Sequence, residues 1–119
     1  MSYQSFEELK VWKAACQLAV TVYASFKACR DYGLKDQITR SVVSIASNIA
    51  EGAERDTGPD FIRFLNIAKG SAAELRTQLY IAQRIGELHP TQGKKLVSEA
   101  KKISAMLHKL AQAVRTNYQ

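Results

Sequence analysis

The chain has 119 residues and a mass of 13.3 kDa, which is the size of one ordinary domain. Its 46% hydrophobic and 24% charged residues are typical of a globular protein, and six glycines and two prolines exclude collagen-like and proline-rich disordered chains. The net charge of +6 permits a nucleic acid or another anionic surface as a partner, but does not require one.

Apolar residues recur at spacings of three and four along the chain, which predicts helices and no strands. The first helix opens on a predicted capping box, Ser5 with Glu8, and ends near Cys29. It carries two apolar rows, which predicts a central helix or one with two neighbours. The first row is Phe6, Leu9, Trp12, Cys16, Ala19, Tyr23 and Phe26, and the second is Val11, Ala15, Leu18 and Val22.

Three further helices are predicted over residues 34–54, from about 57 to 85, and 91–117. In the last helix, apolar residues alternate steps of four and three, which is typical of a coiled-coil seam. Its core row is Leu96, Ala100, Ile103, Leu107, Leu110 and Val114. Four amphipathic helices with short connections predict an all-α fold: an antiparallel up-down four-helix bundle, with residues 1–119 forming one domain.

Most of the net charge belongs to the last helix, because residues 88–119 contain six basic residues and one acidic residue. Two adjacent rows repeat every seven residues and predict an outward-facing basic ridge about 30 Å long. The predicted nucleic-acid-binding residues are Lys94, Lys95, Lys101, Lys102, Lys109 and Arg115, with His108 in the first row. Such a ridge can meet phosphates without reading bases, since no aromatic side chain lies within it. A solvated lysine face is the alternative interpretation.

A polar row runs along the second helix beside its apolar row. Its members are Gln37, Ser41, Ser44, Asn48, Glu51 and Arg55. A hydrogen-bond network that fixes helix register or a subunit seam is the favoured interpretation. A channel for a polar ligand or nucleic acid is the alternative, and a catalytic or metal site is disfavoured because neither histidine stands in a Glu-x-x-His motif.

The third helix has a glycine at its centre, Gly70, which costs about 1 kcal/mol relative to alanine and predicts a close approach between helix backbones. Ser71 follows it, and Glu74 lies one turn later. Arg40 and Arg76 are available to neutralise acidic residues of this region if these are enclosed.

Several of these residues together resemble a known family. Residues 37–41 and the string 48–52, Asn-Ile-Ala-Glu-Gly, resemble the signature of the four-helix-bundle proteins first found in intervening sequences of bacterial large-subunit ribosomal RNA genes. The match continues through residues 61–75 and includes the opening 6–12 and the turn 32–34, so it covers nearly the whole chain. The chain departs from the family at residues 30–31, where many members have a more acidic, proline-containing turn.

The resemblance implies an up-down bundle that assembles as a ring-like homopentamer. It also implies a fold similar to the accessory variability determinant of diversity-generating retroelements, a basic barrel that binds nucleic acid and its reverse transcriptase. No catalytic residue comes with the family. The matching positions that we carry over as a structural polar network or subunit interface are Gln37, Arg40, Ser44, Asn48, Glu51, Gly52, Ser71 and Glu74.

We therefore expect a non-enzymatic homo-oligomer that contacts RNA or DNA backbones, with no cofactor and no metal. A protein–protein scaffold or adaptor, using the second apolar row of the first helix, is the alternative, and an enzyme is the least favoured. Cys16 and Cys29 form no disulfide or metal pattern, which is typical of a cytoplasmic protein. The apolar runs are too short for a membrane span, and residues 1–4 lead directly into charged sequence, so no membrane association and no secretory signal are expected.

Overall fold

A computed structural model of the chain describes residues 5–117, and over that range it contains four α-helices and no strand. A short 3-10 turn at Phe6–Glu8 precedes α1 (Lys10–Ser25), α2 (Tyr32–Ala53), α3 (Gly58–Arg84) and α4 (Pro90–Asn117). Because the connections are short, successive helices run antiparallel, and the predicted up-down four-helix bundle is confirmed. Residues 1–4, on which the expectation of no secretory signal depends, and residues 118–119 lie outside the described residues.

The four helices form a square in which neighbours in sequence are neighbours in space. α2 packs most extensively against α3, and α3 against α4, while α1 closes the square against α2 and α4. Among the described residues, the helices at diagonal corners, α1 with α3 and α2 with α4, do not pack against each other. The bundle is a rod measuring 48 × 19 × 19 Å, with four long faces that are each formed by two adjacent helices.

The hydrophobic core lies along the axis of this rod and confirms the predicted core row of α4, except that Leu110 is half-buried. Its largest fully buried side chains are Phe26, Ile38, Ile45, Ile49, Leu65, Leu75, Leu79, Leu96, Ile103 and Leu107. Each of these removes a large apolar surface from water, which is the main favourable contribution to folding.

In α1 the second apolar row, not the first, faces the core. Val11, Ala15, Leu18 and Val22 are buried. In the first row, Phe26 at its end is fully buried, but Trp12 and Cys16 are only half-buried and Tyr23 is exposed. The row that remains available to a partner is therefore the opposite of the one that the sequence suggested, because the square places one side of α1 against α2 and the other against α4.

The beginning of α1 also differs from its prediction. The Ser5 hydroxyl accepts a hydrogen bond from the Glu7 backbone N–H within the 3-10 turn, and α1 begins at Lys10 without a side-chain cap. The predicted Ser5 cap is therefore present, but it caps the 3-10 turn and not α1, since Leu9 has an extended backbone that separates the turn from the helix. The helix ends at Ser25 rather than near Cys29, because residues 26–28 form a turn.

The close backbone approach predicted at Gly70 is wrong as well. Gly70 is exposed, and a Cβ atom there would meet no other atom within 4 Å. The close approach instead lies at Gly52 in α2, where a Cβ atom would be 2.7 Å from Phe64 Cβ and 3.1 Å from Phe61 Cδ1. Gly52 therefore allows α2 and α3 to pack tightly near their connection.

Candidate nucleic-acid interface

α4 exposes every basic side chain that the sequence assigned to the ridge. These are Lys94, Lys95, Lys101, Lys102, Lys109 and Arg115, and His108 is exposed with them. Within residues 5–117, one of them is ion-paired: Lys102 Nζ lies 3.4 Å from Glu99 Oε1. An exposed pair of this kind contributes at most about 1 kcal/mol to stability and is screened by salt. Most of the positive charge on α4 is therefore not neutralised by acidic side chains of the described chain.

Two contacts at the edges of α4 show which way each basic row faces. Gln92 Nε2 donates a hydrogen bond to Ser25 Oγ of α1, with a distance of 2.9 Å. Gly93, the next residue, packs directly under the Gln83 side chain of α3, which leaves no room for a Cβ atom. Neighbouring residues of a helix are separated by about 100° around its axis, so these two contacts mark the two flanks of the buried side of α4, one next to α1 and the other next to α3.

The two basic rows lie beside these two flanks. The row on the α1 flank consists of Lys95, Lys102 and Lys109. Lys95 lies one helical turn, three residues, after Gln92, and the other two follow at steps of seven residues, so all three lie on the same side of the helix as Gln92. The row on the α3 flank consists of Lys94, Lys101, His108 and Arg115. Glu99 lies seven residues after Gln92 and pairs with Lys102, so the single acidic residue of α4 belongs to the α1 flank.

The polar row of α2 is joined to α3 by a small group of hydrogen bonds. Ser44 Oγ and Ser71 Oγ lie 2.9 Å apart across the two helices, with either hydroxyl able to donate. Asn48 Nδ2 donates to the Ser44 carbonyl oxygen at 2.8 Å and to Ser44 Oγ at 2.9 Å. Three of the predicted network residues are thus connected within one chain.

The other polar members of the predicted network point outward. Gln37, Arg40, Glu51 and Glu74 are exposed. Arg40 Nε pairs with Asp36 Oδ2 at 2.8 Å, and Arg55 Nη2 lies 3.4 Å from Glu51 Oε1. Within residues 5–117, neither Arg40 nor Arg76 forms an ion pair with Glu51 or Glu74. Their assignment to a subunit interface stays a prediction.

The remaining candidate chemistry is sparse. No group of three or more His, Cys, Asp or Glu side chains that could hold a metal ion is found between residues 5 and 117. Burial raises the pKa of the Cys16 and Cys29 thiols, so neither is activated as a thiolate nucleophile. Over the same part of the chain, none of the helices has the length and apolar content needed to cross a membrane.

Fold and surface together define a small helical bundle whose last helix is strongly basic. The sequence profile of the 23S rRNA-intervening sequence protein family matches residues 7–109, and the chain belongs to this family. The matched segment includes all of α1, α2 and α3 and most of α4. The family resemblance stated from the sequence is therefore confirmed.

A solved structure supports the same assignment. It is a protein of unknown function from the S23 ribosomal protein family of Bacteroides thetaiotaomicron VPI-5482. The two structures superpose with a TM-score of 0.78 at 26% sequence identity, and the alignment covers 85% of this chain and 97% of that chain. No match is found among curated proteins.

Proposed function

We propose that this protein is a non-enzymatic, cytoplasmic homo-oligomer that binds the backbone of RNA or DNA through α4. The observation that carries the proposal is the set of exposed basic side chains on α4, of which one is ion-paired in its own chain. Cations held in a row displace the counterions condensed on a polyanion, and this release favours binding. Because contacts to phosphates carry no sequence information, we expect little sequence preference.

Self-association is supported by the α1/α2 face. Residues 14–26 of the chain and residues 41–50 of α2 contain no charged side chain. On this part of the surface Val20 is 64% exposed and Tyr23 53% exposed. An uncharged surface with large exposed apolar groups is typical of a protein–protein interface. We propose a pentamer, the assembly that the family resemblance implies.

Assembly would strengthen binding by α4. α2 and α4 lie at diagonal corners of the square, so self-association through the α1/α2 face can leave the outer side of α4 accessible. Several copies of one weak basic surface then act on the same polyanion, and binding at one copy raises the local concentration for the next.

The test is retention of mixed RNA by the untagged, full-length protein at low salt. Replacing Lys94, Lys101 and Lys102 by glutamate should abolish retention while circular dichroism shows an unchanged helical content. Affinity of the natural sequence should fall steeply with added salt, with a log–log slope of about −0.9 for each duplex phosphate contacted.

The matched control replaces Lys13, Lys27 and Arg30 by glutamate, because these residues are exposed, belong to α1 and the segment that follows it, and change the net charge equally. This control should retain RNA. If the α4 variant binds as well as the natural sequence, or if both variants lose binding to the same extent, α4 is not the interface.

The alternative function is that of a protein–protein scaffold. It is favoured by the half-buried Trp12 and Cys16 and the exposed Tyr23, which form an apolar row on α1. Burial of apolar surface is far less sensitive to salt than contacts between exposed charges are. A complex with another protein that survives high salt, in the absence of RNA retention at low salt, would favour the scaffold.

A further inference from the structure

We propose that the nucleic acid lies along the α3/α4 face and that this face binds a single-stranded segment. The inference rests on the proposed function and narrows it, because it assigns the site to one flank of α4 and adds residues of α3. Its starting point is the contact between Gly93 and the Gln83 side chain, which marks where α3 and α4 meet.

Helical periodicity places three further side chains of α3 along this line of contact. Arg76 and Lys69 precede Gln83 by seven and fourteen residues, so they share its side of the helix. Both are half-buried, as expected for long side chains that lie across a neighbouring helix. Tyr80 precedes Gln83 by three residues and is 47% exposed.

The antiparallel packing brings basic groups of the two helices to the same level. Seven residues span about 10 Å of helix, so Arg76 is level with Ala100, one residue from Lys101. One more such step brings Lys69 level with Leu107, next to His108. The α3/α4 face thus has two pairs of basic residues along its length, Arg76 with Lys101 and Lys69 with His108.

The carboxylates of α3 and α4 lie away from this face. Glu74 follows Ser71 by three residues, and Ser71 contacts Ser44, so this acid is on the α2 side of α3. Glu99 pairs with Lys102 on the α1 flank of α4. Asp60 faces Arg63, at 3.9 Å, at the beginning of α3.

The cations of the α3/α4 face are consequently without acidic partners. Among residues 5–117, no ion pair is formed by Lys69, Arg76, Arg84, Lys94, Lys101 or Arg115. In addition, Arg76 Nε is buried and has no hydrogen-bond partner in the described chain. Leaving part of a charged group desolvated and unpaired is unfavourable, and an anion bound at the half-buried Arg76 guanidinium would offset part of this cost by charge attraction.

Tyr80 favours a single strand over a duplex. α4 itself has no aromatic side chain among its basic rows, but helical rise from the Gly93–Gln83 contact makes the exposed Tyr80 of α3 level with Leu96, between the levels of Lys94 and Lys101. Surfaces that bind single strands combine a positively charged track with aromatic rings on which bases stack, whereas the bases of a duplex are already stacked on one another. Stacking is tolerant of sequence, which agrees with a backbone-directed function.

Adjacent lysines on α4 provide a matched test of the face. Lys94→Glu with Lys101→Glu changes the α3 flank, and Lys95→Glu with Lys102→Glu changes the α1 flank by the same charge; all four side chains are exposed. Binding of a mixed-sequence 20-nucleotide RNA, single-stranded or as a duplex, is measured at low salt by fluorescence anisotropy. We expect the α3-flank pair to weaken single-strand binding at least about tenfold more than the α1-flank pair.

The outcomes separate this inference from the proposed function. Equal losses from the two pairs, or a larger loss from the α1-flank pair, would refute the α3/α4 face while leaving binding by α4 intact. If neither pair weakens binding, both proposals are wrong.

A second pair of variants tests the strand type. Tyr80→Leu should weaken single-strand binding at least about fivefold and leave duplex binding unchanged, because one stacking contact is lost. Tyr32→Leu removes an exposed ring from the beginning of α2, away from α4, and should change neither. Tighter binding of the duplex by the natural sequence, or an unchanged single-strand affinity of Tyr80→Leu, would overturn the single-strand assignment.

Discussion

Two glycines show how differently the same residue type can act within this bundle. Gly52 is buried against Phe61 and Phe64, and a side chain there would collide with α3. Gly70 is exposed with open space around its Cα, so its lack of a side chain has no packing role within the chain. Alanine is therefore expected to have opposite effects at the two positions.

Gly52→Ala should lower the free energy of unfolding by about 1–3 kcal/mol, because the new methyl group would force α2 away from Phe64. Gly70→Ala should raise it by up to about 1 kcal/mol through higher helix propensity. Urea denaturation of both variants measures these changes. A destabilised Gly70→Ala would show that this surface is packed against another copy of the chain.

The two cysteines differ in burial, and this difference should be visible in their chemistry. Burial raises the pKa of both thiols, so less thiolate is present at pH 8 than in the unfolded chain. Iodoacetamide should therefore react more slowly with the folded protein than in denaturant, and more slowly with buried Cys29 than with half-buried Cys16. Mass spectrometry of timed samples measures both rates, and similar rates for the folded and unfolded chains would contradict the burial of these thiols.

At the scale of the single helix, the termini of α2 and α3 are defined by side-chain caps. Asp31 Oδ1 accepts the Leu34 N–H at 3.1 Å, and Thr57 Oγ1 accepts the Asp60 N–H at 3.2 Å. Each cap satisfies a backbone donor that the helix itself leaves unpaired. α1 has no such cap, and its beginning depends on packing of the preceding 3-10 turn.

Thr57→Ala should destabilise the protein by about 1 kcal/mol, because the N-terminal cap of α3 is lost. Thr77→Ala is the matched control, since Thr77 is exposed within the same helix and its hydroxyl donates only to the Ala73 carbonyl oxygen. Thermal unfolding followed by circular dichroism compares the two. An equal shift in both variants would indicate that the Thr57 cap has no specific effect.

For the whole molecule, the arrangement of four faces separates the uncharged surface from the basic one. The α1/α2 face contains the exposed Val20, Tyr23 and Val43. α4 lies diagonally opposite α2, so the positive rows that would repel another copy lie away from the corner where α1 and α2 meet. This separation is compatible with self-association through one surface and polyanion binding through another.

If the α1/α2 face mediates assembly, Val20→Lys combined with Tyr23→Lys should reduce the solution mass measured by light scattering to that of one chain. Helical content should be unchanged, because both side chains face solvent. Ile81→Lys combined with Ile85→Lys is the control, since it adds the same charge at two exposed apolar positions at the C-terminal end of α3. An unaltered mass for the Val20 and Tyr23 variant would place the interface on another face.

Most of the helices and core rows could be predicted from the sequence because they depend on local periodicity. The spacing of Ile38, Val42, Ile45 and Ile49 is enough to identify one side of α2 as buried. The two apolar rows of α1 could not be distinguished in this way, since both have the helical period and only packing decides which one meets the core. Gly70 was misassigned for the same reason, because nothing in its own helix indicates what lies opposite.

The four helices, the family and the basic character of α4 can all be read from the amino-acid sequence, since each follows from residue types at fixed spacings. The packing of the helices places Lys101 on the α3 flank of α4 and Lys102 on the α1 flank, and with helical periodicity it puts Arg76 and Tyr80 on the side of α3 that faces α4. Such neighbours come from segments far apart in the chain, and their proximity depends on how all four helices pack together around one core.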